Sequence, residues 1–300
     1  MSNDTLRDTI RGLSERHLDA GFCVFGQTLT AVGRVGNTVP DHHGITELPC
    51  SDVANSGFVV GAALVGRRPI YVVRYQGFQH FNAPIIVNYA AKSKALWNRP
   101  CPLLVRSIAM EGGIGPVAGS SHHALYYRMP GVKIFAPMTP GEWRAAYEEF
   151  MAGDDVVYLS EHRGAYDNAE ELPPIRPERP EIVLFPVSIT RFTAVQAAVE
   201  LLGESARVAV HHVVTLKPFA PSAEALADLR AAPYGGIVLD DDYTDGVAKA
   251  LAFDLGVVTG RPMRVMGLTA ECTAGFAPRL DNLPPNKEEI KRYVREICYP

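Results

Sequence analysis

The stretch LPCSDVANSGFVVGAALVGRRPIYVVRYQGFQHF, residues 48–81, decides the architecture. It runs through an acidic turn, a helix of small apolar residues, a Gly-Arg-Arg-Pro break, a strand and an aromatic loop. Ser56, Gly57, Gly61, Ala62, Ala63 and Gly66 let that helix lie close against something flat, at a cost in helix propensity. Ile70 to Val73 is β-branched and aromatic, the composition of a buried parallel strand. Asp52 precedes the helix, and Phe78 ends the strand 26 positions later. A helix–strand unit that joins an acid to an aromatic ring suits a flat heterocycle.

Strand and helix alternate on both sides of this stretch. Residues 5–17 read as an amphipathic helix, 23–26 as a buried strand and 33–43 as a glycine-rich loop. Helices at 82–96 and 140–151 then alternate with strands at 102–107, 133–137 and 156–161. Between Arg163 and Arg179 the composition turns to proline and charge without periodicity, which marks a linker. Beyond it, strands at 181–186, 207–216, 236–240 and 263–266 alternate with helices at 193–202, 223–232 and 246–255. A last helix at 286–297 opens on the capping sequence Pro-Asn-Lys-Glu-Glu. The pattern predicts an α/β protein of two doubly wound domains with parallel sheets, at 1–165 and 181–300, joined by a linker at 166–180. In such sheets ligands sit where loops leave the carboxyl ends of strands, which directs attention to residues 75–81, 109–123 and 240–245.

The totals narrow the field. A chain of 300 residues, 47% hydrophobic with a net charge of −4 and no basic cluster, gives no electrostatic case for nucleic acid. Its longest apolar run, residues 57–66, is too short to cross a bilayer. The polar N-terminus reads as neither a signal nor a transit peptide. Cys23, Cys50, Cys101, Cys272 and Cys298 form no close pair, an arrangement expected of reduced thiols in a cytoplasmic protein. A lone cysteine reads first as a small buried hydrophobe; Cys50, two residues before Asp52, is the one candidate reactive thiol.

With the elements placed, the chain resembles the β subunit of thiamine-diphosphate-dependent 2-oxo acid dehydrogenases, the decarboxylating component. The same pyrimidine-binding and C-terminal domains occur in transketolase. The resemblance rests on LPCSDVANSGFVVGAALVGRRPI, IVNYAAK at 86–92, PLLVRS, PGVKIFAPMTP at 130–140, VVTLKPF near 213 and the ending NLPPNKEEIKRYV, in that order. It implies thiamine diphosphate as cofactor, with its pyrimidine ring held by this chain. The diphosphate and Mg2+ would belong to an α-type partner carrying a GDG…N motif, because this chain has no such motif. It also implies an α2β2 heterotetramer with β–β contact through the C-terminal domain, acting on a small 2-oxo acid.

The resemblance assigns roles residue by residue. Asp52 stands where the family has a glutamate that hydrogen-bonds a pyrimidine nitrogen, and Phe78 where an aromatic ring stacks on the pyrimidine. Without the resemblance, Ser51-Asp52 reads as a helix N-cap and Phe78 as core. Gln27 replaces an acid expected near the cofactor and the subunit contact, so two acids are altered together. His122 and His123 fall where a family histidine faces the substrate, with an exposed turn as the plainer reading. Arg74 and His80 flank the aromatic loop and suit an acidic substrate; a solvated ion pair is the alternative. Adjacent residues of a regular strand point to opposite faces, so Asp240, Asp241 and Asp242 are not expected to share a metal ion. Two further functions fit the same residues: half of a split transketolase acting on a ketose, favoured by the GIGPVAGSSHHA loop, and a non-catalytic structural subunit, favoured by Asp52 and Gln27.

Overall fold

The computed structural model describes residues 4–110, 119, 121–269 and 283–299. Cys272 and most of the loop at 111–120 lie outside these residues. The first part of the chain runs α1 (Leu6–Asp19), β1 (Val24–Gln27), α2 (Ala31–Asn37), β2 (Ile45–Leu48), α3 (Asp52–Leu64) and β3 (Ile70–Val73). It continues with α4 (Gln79–Ile85), a π-helical turn (Ile86–Ala90), α5 (Ala91–Trp97), β4 (Leu103–Ala109), α6 (Ala124–Tyr127), β5 (Val132–Phe135), α7 (Pro140–Ala152) and β6 (Val156–His162). The second part is β7 (Ile182–Pro186), α8 (Thr190–Gly203), β8 (Val208–Val210), β9 (Thr215–Lys217), α9 (Ala223–Ala231), β10 (Gly236–Tyr243), α10 (Val247–Thr259), β11 (Met263–Leu268) and α11 (Lys287–Cys298).

The predicted α/β class and parallel pairing hold. β1 to β6 pair in parallel in the order β2-β1-β3-β4-β6-β5, and β7, β8, β10 and β11 form a parallel sheet ordered β11-β10-β7-β8. Strands buried on both faces, such as β3, β4 and β6, give the continuous apolar runs seen in the sequence. Helix starts follow their capping residues. Thr5 exchanges hydrogen bonds with Asp8, Thr139 accepts from the Glu142 amide, and Asn286 forms the reciprocal box with Glu289.

Four local features depart from the sequence reading. The predicted strand at 207–216 is two strands, and the second, β9, leaves its own sheet to pair antiparallel with β5 at the edge of the first. The expected loop at 33–43 instead begins with left-handed backbone: Val32, Gly33, Arg34, Val35 and Gly36 all have φ between 49° and 64°. The predicted linker is tied down on both sides. Leu6 donates to the Asn168 carbonyl, Arg7 to that of Tyr166, and Ile175 pairs with Val210. Lastly, Gly57 and Gly61 of α3 face away from the core and meet no described residue. A Cβ at Gly57 or Gly61 would find no atom within 4 Å, while Asn55, Ser56, Val59, Val60 and Ala63 face the core. Among the described residues no helix is long and apolar enough to cross a membrane.

Candidate active site at the carboxyl ends of the first sheet

Strand β1 ends in Gln27, and α3 begins at Asp52. Gln27 donates its amide Nε2–H to Asp52 Oδ1 at 2.9 Å. Ser51 is the N-cap and makes no side-chain cap bond, and the Asp52 carboxylate does not cap the helix either. No described residue bonds its other oxygen. Behind it, Tyr71 is buried in β3, and burial together with the negative charge of Asp52 pushes its phenol well above the ordinary range. The pair therefore holds one carboxylate oxygen by an amide and leaves the other without a bond among the described residues.

The loop after β3 supplies the aromatic wall. Tyr75 and Phe78 lie 5.9 Å apart, tilted by 49°, and His80 meets His122 edge-on at 5.3 Å. Arg74 lies over the Tyr75 ring at 5.4 Å, and Arg163, from the end of β6, lies over the same ring at 5.2 Å. Nε of Arg74, and Nε and one terminal nitrogen of Arg163, are buried without a hydrogen-bond partner. Sequence reasoning found Arg74 but not Arg163, which sits at the edge of the predicted linker.

Beneath this wall lies a polar network that the sequence reading missed. Gln76 donates to Ser160 Oγ at 2.8 Å and to the Ser107 carbonyl at 3.2 Å, and its Oε1 accepts the His122 amide at 2.6 Å. Gln79 donates to Tyr158 Oη at 2.6 Å and to Ser107 Oγ at 2.5 Å. Arg106 and Glu161, both fully buried, pair bidentately at 2.6 and 3.0 Å, with Tyr166 and Thr38 completing the set. The available signal was polar residues inside buried apolar strands, in LLVRS and VVYLSEH. Each such group needs a partner, but the partners are 28 to 84 positions away and invisible to local pattern.

The histidine pair divides. His122 stays beside His80; burial, and then the nearby His80 and His123, lower its pKa to about 4. His123 is fully buried and turns to the second sheet, where Nε2 lies 3.0 Å from Asp240 Oδ1, with Nδ1 3.2 Å from Ser160 Oγ. Burial opposes its charge, but Asp240, then Asp242 and Asp241, outweigh that and raise its pKa to about 10. His123 is thus committed to the seam between the sheets, and of the two expected substrate-facing histidines His122 is the one beside the aromatic wall.

Comparison with known proteins concerns the chain and its fold. The model of the transketolase pyrimidine-binding domain matches residues 20–168. The 2-oxoisovalerate dehydrogenase subunit beta of Bacillus subtilis is 25% identical over 288 residues, covering 85% of this chain and 84% of that protein. The pyruvate dehydrogenase E1 component subunit beta of Porphyra purpurea is 26% identical over 187 residues, covering 58% and 56%. A solved split-gene transketolase, an inactive β4 tetramer, superposes over 98% of both chains with a TM-score of 0.73 at 14% identity, a likeness of fold alone.

Proposed function

We propose that this chain, which matches the transketolase pyrimidine-binding domain over residues 20–168 and is similar to β subunits of 2-oxo acid dehydrogenases, is the β-type half of a heteromeric thiamine-diphosphate enzyme acting on a 2-oxo acid. The observation that carries this reading is the Asp52 carboxylate, held by Gln27 at the end of β1 and used neither as a helix cap nor in an ion pair, with the aromatic loop leaving the same end of the neighbouring parallel strand β3.

The donor set fits half a cofactor site. Asp52 offers an oxygen to a ring nitrogen of the aminopyrimidine, and Phe78 offers a stacking face. Thiamine diphosphate, when bound, supplies the electron sink for decarboxylation. Asp52 is one methylene shorter than the glutamate of the family pattern; the Gln27 amide fixes its orientation, as reach and geometry at such a contact demand. The guanidinium groups of Arg74 and Arg163, both over the Tyr75 ring, suit the carboxylate of a 2-oxo acid, with His80 on the same loop.

The diphosphate and Mg2+ fall to an α-type subunit, since the chain carries no GDG…N motif. A surface for that partner is at hand. The outward face of α3 exposes Val53, Phe58 and Val65 around Gly57 and Gly61, and a groove of about 760 Å3 runs between it and His42–His43. A second apolar face, Phe253 and Val257 of α10, each about two-thirds exposed, suits the β–β contact of an α2β2 assembly. The test is calorimetric titration of thiamine diphosphate with Mg2+ into this chain alone and into its complex with the α subunit. Binding to the complex only is expected; no binding to the complex overturns the catalytic reading and leaves a structural subunit.

A further inference from the structure

Away from the proposed cofactor site, the seam between the two sheets gathers three carboxylates that no described lysine or arginine pairs with. Asp240, Asp241 and Asp242 end β10, and all three are buried. In a regular strand they would alternate. Here the pairing of β10 with β11 slips between Leu239 and Tyr243, and the irregularity brings all three toward the first sheet. Gly267 makes this possible: a Cβ there would lie 2.9 Å from the Asp242 carbonyl oxygen and 3.0 Å from that of Asp240.

From the first sheet His123 meets them, its Nε2 3.0 Å from Asp240 Oδ1. Nitrogen of His123 and carboxylate oxygens of Asp240 and Asp241 lie within 4.8 Å of one another, and Asp242 Oδ2 is 3.9 Å from His123 Nε2. Ser121 Oγ donates to Asp241 Oδ2 at 2.5 Å, and Ser188 Oγ to the same oxygen at 3.1 Å. Asp241 Oδ1 is buried with no hydrogen-bond partner among the described residues. His162 Nε2 stands 4.0 Å from Asp241, beyond hydrogen-bond distance. Among the described residues no lysine or arginine pairs with the three aspartates. Uncompensated buried carboxylates are costly. Their donors already converge from two sheets.

We propose that His123, Asp240 and Asp241 bind a divalent transition-metal ion that clasps the two sheets together. One imidazole nitrogen with carboxylate oxygens, and serine hydroxyls beside them, is a donor set for zinc or manganese rather than for magnesium or calcium. The ion takes the place of the proton shared by His123 and Asp240, which leaves to solvent, and gives Asp241 Oδ1 the partner it lacks. Asp242, next in sequence to Asp241, lies on the wall of a cavity of about 410 Å3 shared with His122, Tyr127 and Arg128.

The test uses the full chain stripped with chelator, then titrated separately with ZnCl2, MnCl2 and MgCl2 by calorimetry and thermal melting. One equivalent of zinc or manganese is expected to bind and raise Tm by several degrees, with magnesium doing neither. Asp241→Asn, which keeps shape and removes the charge, is expected to fold, to bind at least tenfold more weakly and to lose the metal-dependent rise in Tm. Cobalt(II) in the wild type is expected to give visible absorption that His123→Gln abolishes. If neither zinc nor manganese binds, the proposal is overturned. It is equally overturned if uptake survives Asp241→Asn and is lost instead in a His42→Gln, His43→Gln double variant.

Discussion

Two sets of carboxylates stand at the carboxyl ends of parallel strands, and the chain treats them differently. Asp52 is partly open, touched by a single amide, and belongs to a surface whose neighbouring helix face is unpacked. Asp240 to Asp242 are shut between two sheets and bonded to His123, Ser121, Ser188 and backbone amides of residues 124 and 243. A carboxylate held by one contact is set up to receive something from outside. A carboxylate held by many contributes to holding the chain together. Chemistry and stability should therefore separate when each is altered.

The contrast is largest at the buried end. Replacing Arg106 with Met strands Glu161 in the core and is expected to cost about 3–5 kcal/mol in urea unfolding, with Glu161→Gln recovering part of it in the double variant. An unchanged unfolding midpoint would contradict the burial of that pair. Asp52→Ala should do the reverse: stability shifts by no more than about 0.5 kcal/mol, while turnover of the assembled enzyme falls roughly a hundredfold or more. Full activity in that variant would favour the non-catalytic subunit.

A third outcome concerns acid. His17, buried at the end of α1, has its pKa lowered to about 4 by burial, against the hydrogen bond it makes to the Arg68 carbonyl. Its folded value lies below its unfolded value of about 6.5, so its contribution is complete above that pH and is lost as pH falls toward 4. Stability at pH 5 is expected to be about 2 kcal/mol below that at pH 7.5 from this group alone, and His17→Gln should flatten that part of the profile. The smallest effect is expected at Gln27. Its replacement by Ala leaves Asp52 unoriented and should lower kcat about tenfold with KM nearly unchanged; a KM effect alone would place Gln27 against substrate instead.

Much of the fold was readable because alternating apolar runs and capped helix starts are local signals. Parallel pairing of β3, β4 and β6, the start of α11 and the position of Asp52 all follow from residues within a turn or two of each other. What escaped is long-range. Nothing in VVTLKPF says that Thr215 to Lys217 pairs with Ile134 and Phe135 across the molecule. Nothing in GIVLDDDY announces the slip in β10 that undoes strand alternation, because its cause, Gly267, lies on the neighbouring strand. The proposed site divides likewise: Asp52, Phe78 and Arg74 are singled out through the family resemblance, whereas Arg163, Gln76 and Gln79 emerge only once distant strands are side by side.

Strand β9 has one more consequence, for synthesis. The outer edge of β5 stays bare until residue 217 has left the ribosome. A nascent chain, or a fragment cut anywhere in the predicted linker, carries an open strand edge ready to pair with another copy of itself. Early termination would therefore yield a sticky half-molecule rather than a free-standing domain.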